Sequence, residues 1–276
     1  MNKITINNFA AMNMIYSRYS FEYFLESLKR LDIQNFELWT GAPHLNNFVP
    51  SLSDVGKIKK QVKDHKLNIV CVTPEQVMYP HNIAATDKGL REFSLNYFLK
   101  YIEMTAELET DKMLCCAGWG NYDDKLEDSW ERSIEGLSIL LERARKVGIK
   151  LAFEILCPNE SNLVYNFETT KKMMDTFSNP NFTLCLDTVP IKLSNSNLPE
   201  FFNEFKQRIS HVHMTDGNPT GHIPVGLGEH PIGQYIDELG EYDYNGYITL
   251  EIGNSAWQKK PEEATKIAFD TVKSFL

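Results

Sequence analysis

The stretch ISHVHMTDG, residues 209–217, decides how the rest of the chain is read. Its first six residues look like a buried strand, and side chains in a strand repeat every two residues, so His211 and His213 share one face. The run then stops in Thr-Asp-Gly, which places His213 near the strand's C-terminal end and His211 about 7 Å deeper. His211 is therefore expected to be a hydrogen-bonded core histidine supporting a site from behind. His213 is expected to look into that site, provided other strands bring polar groups to the same end.

Seven further runs have strand character: KITINNF (3–9), NFELW (35–39), NIVCVT (68–73), KMLCCAG (112–118), IKLAFEI (149–155), FTLCLD (182–187) and YITLEI (247–252). Helical patterns lie between them, including FEYFLESLKRL, VGKIKKQVKDH, KGLREFSLNYFLKYIEMTAEL, EDSWERSIEGLSILLERARKVG and EEATKIAFDTVKSFL. Ser20 and Ser53 stand where helix N-caps belong, and Gly148 where a C-terminal glycine does. Eight strand–helix units of about 34 residues predict an α/β fold, a (β/α)8 TIM barrel in a single domain over 1–276. A doubly wound sheet would carry a Gly-rich turn after its first strand, and AAMNMIYSRY is not one. The stretch KLSNSNLPE (192–200) reads as a barrel loop, not a domain boundary.

Barrel enzymes place their chemistry at the C-terminal ends of strands. There the last four strands carry Glu154, Asp187, His213 and Glu251, at intervals of 33, 26 and 38 residues, each about one unit. Singly, each acid has an ordinary reading: Glu154 or Glu251 could cap a helix or pair with an arginine, and Asp187 could begin a turn. Together they put three carboxylates round one mouth, which a divalent cation would reconcile. Glu154 is the most telling, because a lone carboxylate inside LAFEIL is unfavourable to bury. Oxygen donors with one imidazole suit Mn2+, Mg2+ or Co2+ better than a thiolate-type zinc site; Mn2+ is the expected ion, with Mg2+, Co2+ or Zn2+ as alternatives. Asp216 is expected to orient a ligand without binding the metal itself.

Composition narrows the class. At 42% hydrophobic and 24% charged the 276-residue chain is globular, with no apolar run of membrane-spanning length. A net charge of −9 disfavours nucleic acid, whose recognition needs clustered Lys and Arg, and favours a neutral or cationic small molecule. Five cysteines without a C-x-x-C, and an N-terminus MNKITINNFA without an apolar core, point to reduced cytoplasm.

The pieces AFEILCPNESN, CLDT, HVHMTDG with GHIPVGLGEHPI, and YITLEI resemble the xylose isomerase-like barrels, a family that includes ketose 3-epimerases, hydroxypyruvate isomerase, inosose enzymes and the endonuclease IV group. ELWTGAPH (37–44), VTPEQVMYPHNI (72–83) and ESNLV (160–164) resemble fructoselysine 3-epimerases in particular. The resemblance implies a metal held by Glu154, Asp187, His213 and Glu251, with Glu154 and Glu251 as two bases on opposite faces of a ketose. It also implies substrate contacts from Glu160 and from His222, and dimers or tetramers. Two positions depart from the epimerases of free ketohexoses: Pro190 stands where they carry a histidine and Pro219 where they carry an arginine.

The chemistry so implied is proton transfer through a cis-enediolate chelated by the metal: one glutamate takes the proton α to the ketone and the other returns one to the opposite face. Return to the neighbouring carbon would instead isomerise an aldose and a ketose. Trp39, Trp119 and Trp257 follow strand ends, where an indole can lie on a sugar face or pack at the rim. Glu75 can bind a substrate hydroxyl or amine, or satisfy loop amides. His44 and His81, in loops, read as mainly solvated. The alternatives are a metal-dependent dehydratase of a cyclic keto acid, of dehydroshikimate or inosose type, and a catalytically silent sugar-binding barrel. A phosphodiesterase would need more mouth histidines and a basic face.

Overall fold

Eight parallel strands close into a barrel in chain order in the computed structural model, which describes residues 3–77 and 81–276. They are β1 (Phe9–Met12), β2 (Asn35–Thr40), β3 (Asn68–Pro74), β4 (Lys112–Cys115), β5 (Lys150–Glu154), β6 (Phe182–Asp187), β7 (Ile209–Met214) and β8 (Tyr247–Leu250), and β8 pairs back onto β1. Helices α1 (Phe21–Arg30), α2 (Val55–Asp64), α3 (Lys88–Glu107), α4 (Leu126–Val147), α5 (Phe167–Thr176), α6 (Thr188–Leu193), α7 (Leu198–Phe205), α8 (Ile232–Glu241) and α9 (Pro261–Lys273) alternate with them. The VTPEQVMYPHNI piece crosses residues 78–80, which lie outside the described residues.

The caps explain several boundaries. Ser20 accepts the Tyr23 N–H at 3.1 Å and starts α1. For α2 the cap is Asp54, which accepts the Lys57 N–H at 2.9 Å, whereas the Ser53 hydroxyl turns back to Pro50 O at 3.0 Å. A carboxylate is the stronger partner for the helix's free amides. Gly148 ends α4 in the left-handed region, φ 79°, where a Cβ is unfavourable. The 192–200 stretch is less open than expected: it runs from the end of α6 into α7, which Asn197 caps by accepting the Glu200 N–H at 3.0 Å.

The first strand is also displaced from KITINNF. The Asn8 side chain accepts the Thr5 N–H at 3.0 Å and donates to Gly246 O at 3.2 Å, folding 6–8 into a 3-10 turn and delaying the strand to Phe9. Two hydrophobic layers result. Phe153, Leu184, Leu186 and Val212 face helices such as α4, which buries Leu137, Leu140, Leu141 and Ala144. Each such side chain contributes roughly 1.5–3 kcal/mol by leaving water. Inside the barrel a smaller cluster of Ala10, Val70, Cys71, Leu114, Ala152 and Cys185 fills the floor. All five cysteines are free and buried, and among the described residues no helix is long and apolar enough to cross a membrane.

Candidate active site

Strand alternation sends Ala152 and Glu154 inward on β5, Cys185 and Asp187 on β6, and His211 and His213 on β7. Register then sets Asp187 beside His213 and Glu154 beside Cys185, and Glu251 follows β8 directly. One atom from each of Glu154, Asp187, His213 and Glu251 lies within 4.8 Å of the others. His213 Nδ1 stands 2.7 Å from Glu154 Oε1 and 3.2 Å from Glu251 Oε2, yet makes no aligned hydrogen bond to either. Donors at this spacing face a shared centre more than they face each other. Three carboxylate oxygens and one such nitrogen fit a dication.

Their electrostatics show the same crowding. Burial pushes Glu154 up to about 8; His213 opposes the rise, and the acids of Glu251 and Asp187 add to it. Asp187 goes the other way: burial would raise it, but the charges of His222 and His213 and the Val189 N–H at 2.8 Å hold it below the usual range. Its Oδ1 also accepts the Thr215 hydroxyl at 2.7 Å. Burial opposes a charged His213, but Glu37, Glu154 and Glu251 around the ring raise it well above an ordinary imidazole. His222 reaches over the cage, its Nε2 3.9 Å from both Asp187 Oδ2 and Glu251 Oε2. Against burial, these acids raise it to about 10.

Beneath the cage lies Glu37, a residue the sequence did not single out. It is fully buried on β2, and both its oxygens are 3.1 Å from His213 Nε2. His211 Nε2 lies 2.7 Å from its Oε2, to which the Thr249 hydroxyl donates at 2.6 Å, and the Thr73 hydroxyl donates to Oε1. His211 thus supports His213 through a shared carboxylate. The two imidazoles hold Glu37 well below the carboxylate range although burial alone would raise it. The legible signal was an acid within NFELW, the same signal as Glu154 in LAFEIL. Cys185 also brings its Sγ within 4.8 Å of ligand atoms of Glu154 and His213.

The cage opens into a cavity of about 260 Å³. Trp39, Glu75, Glu160 and His222 line it. Trp39 Nε1 donates to Glu75 Oε2 at 2.9 Å, and Glu75 Oε1 accepts the Val77 N–H at 3.1 Å. Asn13 pins the backbone of Trp39 from both sides, accepting its N–H at 2.7 Å and donating to its carbonyl at 2.8 Å. Glu160 Oε2 accepts the Cys157 N–H at 3.0 Å, and burial raises its carboxyl. Trp119 does not line this cavity; it borders a neighbouring groove with Tyr122 and Glu160.

Two further expectations differ from the geometry. Asp216 accepts backbone N–H groups of Gly217, Gly226, Gly228 and His230 at 2.8–3.1 Å, so its carboxylate shapes the loop after β7 and not a cage ligand. Thr215, one residue earlier, holds Asp187. His44 and His81 are buried, not solvated: His44 sits between Asn13 Nδ2 at 2.7 Å and Tyr19 O at 3.0 Å, and His81 stacks on Tyr97 with ring centroids 3.7 Å apart.

Comparison with known proteins agrees with this architecture. Fructoselysine 3-epimerase of Shigella flexneri is 27% identical over 241 residues, covering 86% of this chain and 87% of that protein. Inosose dehydratase of Lacticaseibacillus casei is 31% identical over 101 residues, 34% of this chain and 32% of its own. The structure of an L-ribulose 3-epimerase superposes with a TM-score of 0.80 at 19% identity, covering 100% of this chain and 95% of that one. The model of the xylose isomerase-like TIM barrel matches residues 25–275. With that match across a closed eight-stranded barrel, the chain belongs to the xylose isomerase-like TIM barrel family.

Proposed function

We propose that this chain is a divalent-metal-dependent sugar epimerase, acting on a ketose or a fructosamine at C3. The observation that carries the reading is the convergence of Glu154, Asp187, His213 and Glu251 at the floor of a sugar-sized cavity. Glu154, Asp187, His213 and Glu251 would hold the metal, Mn2+ by preference, which when bound supplies Lewis-acid stabilisation of the negative charge developing on the sugar oxygens. The protein's own part is proton transfer. Glu154 and Glu251 would flank the reacting carbon, one as proton acceptor and the other as donor. Glu251 takes the proton from C3, the C–H electrons move toward the carbonyl to give an enediolate, and Glu154 returns its proton to the opposite face of the same carbon. In the reverse direction the two exchange roles. His222 and Glu160, which line the cavity, would hold substrate hydroxyls.

The reading includes a cytoplasmic homo-oligomer, a dimer or tetramer, checked by sedimentation. The main test incubates metal-loaded protein in deuterium oxide with fructoselysine, D-psicose and D-tagatose. The expected result is deuterium at C3 with appearance of the epimer, abolished by chelator and restored by Mn2+. Deuterium uptake that survives chelation contradicts the mechanism. A second reading, dehydration of a cyclic keto sugar, draws support from the local likeness to inosose dehydratase. Water loss from an inosose with no exchange into any ketose would favour it.

A further inference from the structure

We infer that Gln76 is a specificity-determining residue, which donates a hydrogen bond from Nε2 to an oxygen at the end of the sugar remote from the reacting carbon. The inference rests on the epimerase reading above and extends it to the opposite wall of the same cavity.

Gln76 follows β3 and lines the cavity, yet it is only 3% exposed. Its carboxamide orientation is fixed by the protein, because Oε1 accepts the Cys116 N–H at 2.9 Å and ties the ends of β3 and β4 together. That contact requires the oxygen on one side and leaves the –NH2 group on the other. Nε2 is buried and has no hydrogen-bond partner. A buried amide nitrogen carrying two unused donors is unfavourable, and native proteins rarely keep one without a ligand or water to satisfy it. The acceptors beside it on the wall serve other groups: Glu75 accepts from Trp39 Nε1 and the Val77 N–H, and the Thr73 hydroxyl donates to Glu37.

Barrel geometry says which part of a ligand it meets. β3 lies across the ring from β7, which carries His213. A sugar whose carbonyl end is seated on the cage therefore presents its other end to the β3 side. The donor there selects an oxygen acceptor, a hydroxyl or ring oxygen, and discriminates against a deoxy or alkyl group at that point.

Gln76→Glu separates this role from the structural one. It retains an acceptor for the Cys116 N–H but replaces the donor with a second acceptor that repels a substrate oxygen. Gln76→Leu, which loses both functions, is the comparison. Wild type and variants are loaded with Mn2+, and KM and kcat are measured with fructoselysine and D-psicose. Thermal midpoints are recorded with and without each sugar. The expected result for Q76E is a KM raised by roughly 10- to 100-fold, with kcat much less affected, a lowered thermal midpoint from the buried carboxylate, and loss of the rise in that variant's own midpoint when sugar is added. Q76L is expected to raise KM similarly and also to melt earlier. A wild type that turns over neither sugar overturns the epimerase reading, and this inference falls with it. An active wild type whose Q76E variant keeps its KM and its sugar-induced stabilisation overturns this inference alone, and shows that Nε2 holds only an ordered water.

Discussion

Replacing Glu37 by glutamine should weaken metal binding without touching any cage ligand. In the native arrangement the Glu37 carboxylate accepts from His211, His213, Thr73 and Thr249. Against a carboxylate, Nε2 of His213 carries the proton, so Nδ1 keeps its lone pair toward the cage. Glutamine is nearly isosteric but offers one oxygen and one –NH2. The threonine hydroxyls can rotate to accept from that –NH2, whereas an imidazole N–H cannot. If His213 meets the amide nitrogen, it must shift its proton to Nδ1, and Nδ1 is then lost as a ligand. Removal of the carboxylate behind a metal-bound histidine typically weakens affinity by 10- to 100-fold, or roughly 1.4–2.7 kcal/mol. Glu37→Ala should do more, because it strands two buried imidazoles and two hydroxyls, and a loss of about 3–5 kcal/mol of stability is expected. The assay is Mn2+ competition against a chelator, with urea melts in EDTA beside it. An E37Q protein that folds normally and binds Mn2+ with the wild-type Kd would refute the reasoning, since the tautomer of His213 would then not depend on this carboxylate.

Glu154→Gln and Glu251→Gln each keep an oxygen for the metal but cannot shuttle a proton, so epimerisation should fall by roughly 10²–10⁴. Each variant should still exchange solvent deuterium into one epimer only, a different one for each, and loss of exchange from both epimers in either variant would contradict two-base transfer. Burial pushes His44 down to about 4, against the raising effect of the Tyr19 carbonyl, and its ring lies between Asn13 and Tyr19. Because its unfolded value is near 6.5, the unfolded chain binds the extra proton first as pH falls, so its contribution is complete above about 6.5 and is lost progressively toward 4, by up to roughly 3 kcal/mol. Urea melts at pH 7.5 and 4.5 should show a smaller pH slope in His44→Gln than in wild type, and equal slopes would refute this. A Cβ at Gly41 would collide with the Trp39 indole, so Gly41→Ala should displace that ring from the cavity wall. KM should rise by roughly 3- to 10-fold, with a shift in tryptophan emission on sugar binding that differs from wild type.

The cage was legible and the layer below it was not, and one physical property separates them. Glu154 interrupts an apolar run at the end of its strand, where a buried acid has no neutral explanation, and the next three units repeat the anomaly at unit spacing. Each of those residues points toward a mouth that any (β/α)8 barrel has, so knowledge of the fold class was enough to gather them. Glu37 interrupts NFELW in the same way, but its meaning depends on partners 174, 176 and 212 residues away. Those contacts arise only when β8 pairs back onto β1 and turns a row of strands into a ring. The same holds for Gln76, whose Oε1 finds Cys116 across the β3–β4 seam, and for Asn13, which reaches Trp39 from β1 to β2. The misplaced first strand has a related cause. Ile4 and Ile6 carry more strand propensity than Ala10 and Ala11, but propensity measures fit to an ordinary pleated surface. Ala10 belongs instead to the narrow interior beneath the polar layer, where Ala152 and Cys185 are also small. A floor of small side chains leaves the space above it that Glu37, His211 and His213 occupy, so the weak strand signal of FAAM and the buried acid–histidine layer are two consequences of one packing requirement.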